Sequence, residues 1–299
     1  MRLLRQFRVL ALLALSLLPR SALADAKSFD EGLLWRVELP GQAASYVFGT
    51  LHSSESSIVR LPPPVAEAFA GARTFVTEVV IDQPTMLRLS RAMLLPKGQS
   101  LDRILTSAQL SHLRVAAEQY RLPPRSLLGL KPWALVAMFS FPPAEHERSA
   151  QGQLPLDLML QAEAKAAGKA LVGLETADEQ IDALDGLPEP DQVALLTMAL
   201  DQAADIDRSF AELTAAYLAR DLVAVRAALS PPAGSANLET MARFEARLIT
   251  DRNRRMVQRI GPLLGGGDAF IAVGALHLPG ESGVLALLAA QGYQVTRVY

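Results

Sequence analysis

The sequence predicts an α/β protein: a mixed, mostly parallel central sheet flanked by helices, with a helical insertion before the last strands. Three observations point there. Short apolar runs alternate with helical patterns, the order that builds a sheet with helical crossovers. Two of those runs end alike, as Val47-Phe48-Gly49-Thr50-Leu51-His52 and Ala272-Val273-Gly274-Ala275-Leu276-His277. A long stretch without strand signals, residues 185–262, separates the last strands from the rest.

Composition narrows the class. The chain has 299 residues, half of them hydrophobic, and a net charge of −2. That is ample core for one large domain, read here as 25–299. A near-neutral charge leaves no footprint for nucleic acid. With no cysteine, thiolate chemistry is excluded, and any metal must be held by His, carboxylate and carbonyl groups. Arg2, Arg5 and Arg8 precede the apolar run Val9 to Leu18. A run of about ten residues suits a signal core and falls short of the ~20 that span a bilayer. Ala22-Leu23-Ala24 then reads as a cleavage site, giving a signal peptide of 1–24, a mature start at Asp25 and export to a periplasm or the exterior. The alternative is an uncleaved anchor.

Leu33 to Leu39 and Ser45 to Gly49 read as two strands joined at Pro40-Gly41. A helix from Val65 to Ala70 follows a proline cluster, and Gly71 ends it. Thr74 to Ile81 reads as a strand interrupted by Glu78. The stretch from Ser100 to Tyr120 holds a helix with Ser107 as its N-cap. Lys131 to Phe141 reads as a buried helix, ended by Pro142-Pro143, and Ala144 to Leu154 as a polar loop. Leu156 to Ala167 is a helix with Asp157 in its first turn, favourable to the helix dipole. Ala170 to Leu174 is a short strand finishing at Glu175, and Ala177 to Leu184 opens a helix. Asp191 to Leu229 is helical, with a joint near Ala219-Arg220-Asp221. Pro231-Pro232-Ala233-Gly234-Ser235 is a linker, and Asn237 caps a helix running to Ile260. Gly265-Gly266-Gly267 is a loop rather than a phosphate cradle, since it precedes its strand and lacks a following Lys. Ala269 to Val273 is a strand, Val284 to Ala290 a helix, and Val295 to Tyr299 closes the sheet.

The chemistry-bearing residues sit where those strands end. In open α/β sheets ligands gather beyond the carboxyl ends of strands. If the two Gly-x-x-His strands are parallel neighbours, His52 and His277 meet on one rim and can bind a metal. Gly49 and Gly274 are the backbone positions expected to approach the bound group. A carboxylate within Phe75-Val76-Thr77-Glu78-Val79-Val80-Ile81 is costly to bury without a partner, so Glu78 is either a ligand or base, or a solvent-facing strand end. Glu175 is the second such carboxylate, or an exposed helix cap. Asn253 falls on the apolar stripe of Ile249, Met256 and Ile260, with Arg252 beside it. Both reach into a site or belong to a structural hydrogen-bond network. His112, His146, Arg247, Arg254, Arg255 and Arg259 read as solvated.

Together these segments resemble the TraB/GumN family, which includes the Tiki metalloproteases that trim Wnt proteins. The resemblance rests on Tyr46 to His52, Thr77-Glu78, Gly173-Leu174-Glu175-Thr176 with Glu179-Gln180, Arg252-Asn253 with Met256, and Gly274 to Gly280. It implies a fold similar to erythromycin esterase and the ChaN-like proteins. It also implies catalytic or ligand roles for His52, Glu78 and His277, and support from Arg252 and Asn253. A divalent ion such as manganese or cobalt, and a peptide or protein substrate, follow from the same likeness, and His and carboxylate donors suit zinc as well. Where the family often has Gly-x-Asp this chain has Leu154-Pro155-Leu156-Asp157, which leaves any shared role of Asp157 open. No membrane span beyond the signal is read.

The leading expectation is a divalent-metal-dependent hydrolase acting on peptides, with Glu78 or Glu175 as general base. HExxH is absent, so it is no ordinary zincin, and no G-x-S-x-G elbow supports a serine triad. The rivals are a metal-free, esterase-like hydrolase and a non-catalytic periplasmic peptide-binding or export-accessory protein.

Overall fold

A computed structural model describes residues 29–228 and 238–299. The expected signal peptide, the 231–235 linker and the Asn237 cap lie outside the described residues. Six strands form one sheet: β1 (Leu34–Glu38), β2 (Ser45–Thr50), β3 (Thr74–Thr77), β4 (Ala170–Gly173), β5 (Ala269–Gly274) and β6 (Gln294–Arg297). Their order is β4-β3-β5-β2-β1-β6. The β2–β5, β5–β3 and β3–β4 pairs are parallel, whereas β1 runs antiparallel to both β2 and β6. The sheet is therefore mixed and mostly parallel, and helices flank it.

Burial explains which sequences take which place. Residues Ala269 to Val273 of β5 are all buried, and a strand covered on both faces needs a continuous apolar run. The outer strand β6 buries only Val295 and shows Gln294, Thr296 and Arg297 to water, as an edge must. Phe270 is the packing hub. Its ring lies 5.7 Å from Phe48, 5.4 Å from Phe69 and 6.4 Å from Phe75. Burying each such ring stabilises the fold by roughly 1.5–3 kcal/mol. Thus β2, β3 and β5 are locked together beneath the edge where the candidate residues emerge. A second apolar cluster, including Leu101, Leu113, Leu135, Phe139 and Leu196, is built from helices alone. No described helix is long and apolar enough to cross a membrane.

Several elements differ from expectation. Strand β3 stops at Thr77, because Leu174 N–H bonds to Thr77 O (2.8 Å) and Glu175 N–H to Glu78 O (2.7 Å). Glu78 thus stands just past the strand rather than within it. Thr106, not Ser107, caps the Ser107–Gln119 helix, in a capping box with Gln109. The expected polar loop is a helix, Pro143–Ala150. Its prolines start it, since Pro suits the first helical turn, and its Glu145 is buried against another segment. The helix Gln83–Ala92 is absent from the predicted elements, and it buries no residue. The joint expected near Ala219 is real, with Arg220 at φ 63°. A further break at Ala203–Asp205 divides the preceding helical run. The helix that carries Asn253 runs on to Leu264, with a π-helical turn at Ala246–Thr250.

Neither Gly49 nor Gly274 has a positive φ. For Gly49 the reason is close approach. An added Cβ would lie 2.7 Å from Leu278 Cδ1 and 3.1 Å from Ala275 Cα, with Leu278 wholly buried. Gly49→Ala should therefore destabilise the protein by about 1–3 kcal/mol, the usual range for overpacking. Gly71→Ala meets nothing within 4 Å and should be neutral or stabilising. Urea denaturation of the two variants checks this, and equal midpoints would refute the packing role.

Candidate functional site

Each of the four strands in the parallel half delivers one chemistry-bearing residue at or just past its carboxyl end. β2 leads to His52, β3 to Glu78, β4 to Glu175 and β5 to His277. Register sets the match: Thr50 pairs with Gly274, and Thr77 with both Ala272 and Gly173. His52, Glu78 and Arg252 line one cavity of about 220 Å³, with Asp157, Gln180 and Leu248 on its walls. His277 reaches the same group from below, its Nε2 3.7 Å from Glu78 Oε1.

The hydrogen bonds fix protonation. Asn253 Nδ2 donates to Ser282 O (2.8 Å), which turns its Oδ1 toward His277 Nδ1 at 2.6 Å. An amide oxygen only accepts, so Nδ1 carries the proton and Nε2 presents a lone pair. Arg252 agrees independently, because its Nη1, a pure donor, lies 3.3 Å from that Nε2. Burial is the main cause that pushes His277 down to about 4, so it is neutral at neutral pH. His52 is the opposite case. Its side chain is 53% exposed, and the Asp157 carboxylate, 2.8 Å from Nδ1, raises it to about 9. Asp157 therefore does more than favour a helix dipole: it orients His52, as carboxylates orient metal-binding imidazoles.

Glu78 is gripped from several sides. Gly274 N–H donates to Oε1 (2.7 Å), Gln180 approaches Oε2 (3.4 Å) and Arg252 Nη2 bonds to Oε2. Burial acts to raise its pKa, but Arg252 first, then the two imidazoles and the Gly274 N–H, hold it well below the usual carboxylate range. Glu175 is buried, not an exposed cap. Its Oε2 accepts from Arg252 Nε (2.8 Å) and Nη2 (2.7 Å), and its Oε1 from Arg255 Nη1 (3.0 Å); Thr176 caps the following helix instead. Arg255 and Arg259 are likewise not simply solvated. Arg259 binds Leu174 O and Glu179, and Arg247 binds Asp182 and Ala183 O. Arg254 keeps its local, exposed pair with Asp251. His112 and His146 lie away from the cleft, on Asp201 and on Met138 O.

The segment after His52 is pinned by a group that sequence reasoning passed over. Ser53 Oγ, Ser54 Oγ and Ser54 N–H all donate to Glu145, which pairs with Arg148. Burial pushes that carboxyl up, and the hydrogen bonds from Arg148, Ser53 and Ser54 outweigh it, leaving Glu145 at about 2. No local signal marks this, because Glu145 sits in a polar run whose partner lies far away in sequence.

Two imidazoles with Nδ1 tethered and a carboxylate are donor types that divalent ions take. Among the described residues, however, no three His, Asp or Glu side chains converge as a ready coordination shell. Glu78 and His277 form a pair, and Arg252 is bonded to both.

Fold and site thus define a class: an α/β protein with two Gly-x-x-His turns on adjacent parallel strands, framing a buried Glu–Arg–Glu cluster. The family model described as TraB/PrgY/gumN matches residues 33–297, and the chain belongs to that family. It is 25% identical to a "Metalloprotease TIKI homolog" of Nematostella vectensis, over 91% of this chain and 68% of that protein. It is 26% identical to "Metalloprotease TIKI2" of Danio rerio, over 91% of this chain and 61% of that protein. It is also 23% identical to the "Uncharacterized protein YbaP" of Shigella flexneri, over 84% of this chain and 90% of that protein. The chain spans less than two thirds of the Danio protein's length. No solved structure matches it.

Asp157→Asn should return the His52 pKa from about 9 toward the ordinary 6.5, read by NMR titration of the ring. A raised folded pKa stabilises the protein at low pH. The stability lost in Asp157→Asn should be greatest below about pH 6.5 and vanish as pH rises through 9. A loss that does not vary with pH would refute the pairing.

Proposed function

We propose that the chain hydrolyses peptide or protein substrates with the help of a divalent ion, acting in the periplasm or after secretion. The observation that carries this reading is the meeting of both Gly-x-x-His segments with Glu78 at one strand edge. Each imidazole has its Nδ1 tied by a neighbour, on Asp157 and on Asn253. The names of the metalloprotease relatives support the reaction class, and the Arg2 to Ala24 pattern supports export.

His52, on giving up its proton, Glu78 and His277 are the residues that would hold the ion, with manganese, cobalt and zinc as its candidates. When bound, the ion supplies a water of lowered pKa and a Lewis acid for the scissile carbonyl. Of the two glutamates Glu78 is the one that lines the cavity, where it would act as a ligand or as the base that takes the water's proton. Glu175 is then a positioning residue that holds Arg252. Arg252 faces the cavity as a fixed positive charge, suited to the negative charge that grows on a carbonyl oxygen. Asn253 keeps His277 in the tautomer whose lone pair faces the site.

A peptide-library digest with Mn²⁺, Co²⁺ or Zn²⁺, and with a chelator, tests the reading. His52→Ala and Glu78→Gln should each lower kcat/KM by at least about 100-fold while leaving the circular dichroism spectrum unchanged. Full turnover in chelator, or in His52→Ala, would reject it.

A further inference from the structure

We infer that the cavity beside His52 and Glu78 is a side-chain subsite: it takes a compact aliphatic side chain, of the size of valine, isoleucine or leucine, from the residue next to the bond that is cut. For the cutting of that bond the inference rests on the hydrolase reading above. For the side chain it rests on the lining alone.

Four segments bring to the cavity a polar residue together with an aliphatic one. Glu78 is followed by Val79 and Ile81, and Asp157 by Leu158. Leu184 lies one turn beyond Gln180, and Leu248 one turn before Arg252, a spacing that puts each pair on one helix face. The polar members form the site already described. The aliphatic members are a second population. Val79, Ile81, Leu158, Leu184 and Leu248 are all half-buried, and none of the five packs on either apolar core cluster. Apolar surface turned to a cleft forgoes its transfer free energy until something apolar covers it. A cleft walled by aliphatic groups, with a few fixed polar ones, is the usual form of a binding site.

The wall is held in place by polar clamps. Ile81 N–H donates to Gln161 Oε1 (2.8 Å), and Ile81 O accepts from Gln161 Nε2 (2.7 Å). Arg247, next to Leu248 in the π-helical turn Ala246–Thr250, donates to Asp182 O (2.5 Å) and Ala183 O (3.3 Å). That ties the turn to the helix Ala177–Asp185, which carries Leu184. A wall so supported keeps its shape and can discriminate by size. The cavity measures about 220 Å³. Pockets for whole small ligands run from about 300 Å³ upward, so this one suits a single side chain and the peptide unit beside it. A charged side chain pushed among the five aliphatic groups would be buried without a partner, since Arg252 already serves Glu78 and Glu175, and Asp157 serves His52.

The test uses blocked peptides Ala-Ala-X-Ala-Ala in which X is Leu, Phe, Asp or Lys. In metal-free wild type carrying ¹³C-methyl labels, the Leu peptide should shift the Ile81 methyl signals, assigned by their loss in Ile81→Val. It should saturate at a concentration at least about tenfold below the Asp and Lys peptides, the low end of what a fitted apolar pocket discriminates. Leu184→Ala widens the wall, and there the Phe peptide should gain at least about tenfold on the Leu peptide. A peptide-library digest with Mn²⁺, Co²⁺ or Zn²⁺ should show the same order beside the cut bonds. Ile81 methyls unmoved by the Leu peptide, equal saturation by all four peptides, no gain for Phe in Leu184→Ala, or cleavage indifferent to X would overturn the inference and leave the hydrolase reading standing. Leu-selective binding without cleavage under any ion would overturn the hydrolase reading and leave the subsite standing.

Discussion

The parallel pairing of β2 with β5 is the constraint on which the rest of the molecule depends. It sets Gly49 opposite Val273 and Thr50 opposite Gly274, so both Gly-x-x-His segments leave the sheet at one level. With β3 on the far side of β5, Glu78 arrives beside them. A slip of one residue in that pairing would turn alternate side chains to the other face and part the two imidazoles. The hydrophobic pattern guards the register: Val47 and Phe48 on β2, and Phe270, Ile271 and Ala272 on β5, are all buried, and the Phe270 ring packs on Phe48.

Burying charge at that edge demands closure, and the closure is unusually complete. Glu78 and Glu175 face Arg252 and Arg255, two negative groups against two positive ones, linked through shared oxygens. Breaking such a cluster at one member leaves an uncompensated buried charge, which is far more costly than the net worth of the pair. Burial first, then the neighbouring positive charge of Arg252, keeps His277 neutral. Structure and chemistry are therefore not separable here. The groups that carry the proposed reaction are also those that make the buried edge electrically tolerable.

Much of this was legible in the sequence. The strand order was not, but the class of sheet followed from alternating segments, and the doubled Gly-x-x-His located the working edge. Glu78, Glu175, Arg252 and Asn253 stood out as polar residues on apolar stripes, a local signal of a buried network. What could not be read was partnership across long gaps. Asp157 looks like any acidic residue in a first helical turn, and only folding puts it on His52. Glu145 hides in a polar run, and its serines are common residues. Arg255 and Arg259 looked solvated because helical periodicity separates apolar from polar faces but cannot tell which charges meet a neighbouring strand end.

The two Gly-x-x-His segments look equivalent in sequence, yet they do different work. At Gly49 the missing side chain admits the turn at Ala275 and Leu278. At Gly274 it lets Glu78 reach a backbone N–H, since an added Cβ would sit 3.3 Å from Glu78 Oε1. The histidines diverge further. His52 is half exposed and bonded to an aspartate, so it favours the imidazolium. His277 is buried and bonded to an asparagine, so it keeps a bare lone pair. The Asp157 charge raises His52, whereas burial lowers His277 and the Asn253 amide sets its tautomer. Likeness of motif is thus weak evidence for two related halves of the chain. It reflects a shared need to leave a parallel strand sharply and place an imidazole at its end, while the surroundings decide whether that imidazole holds a proton or offers a lone pair.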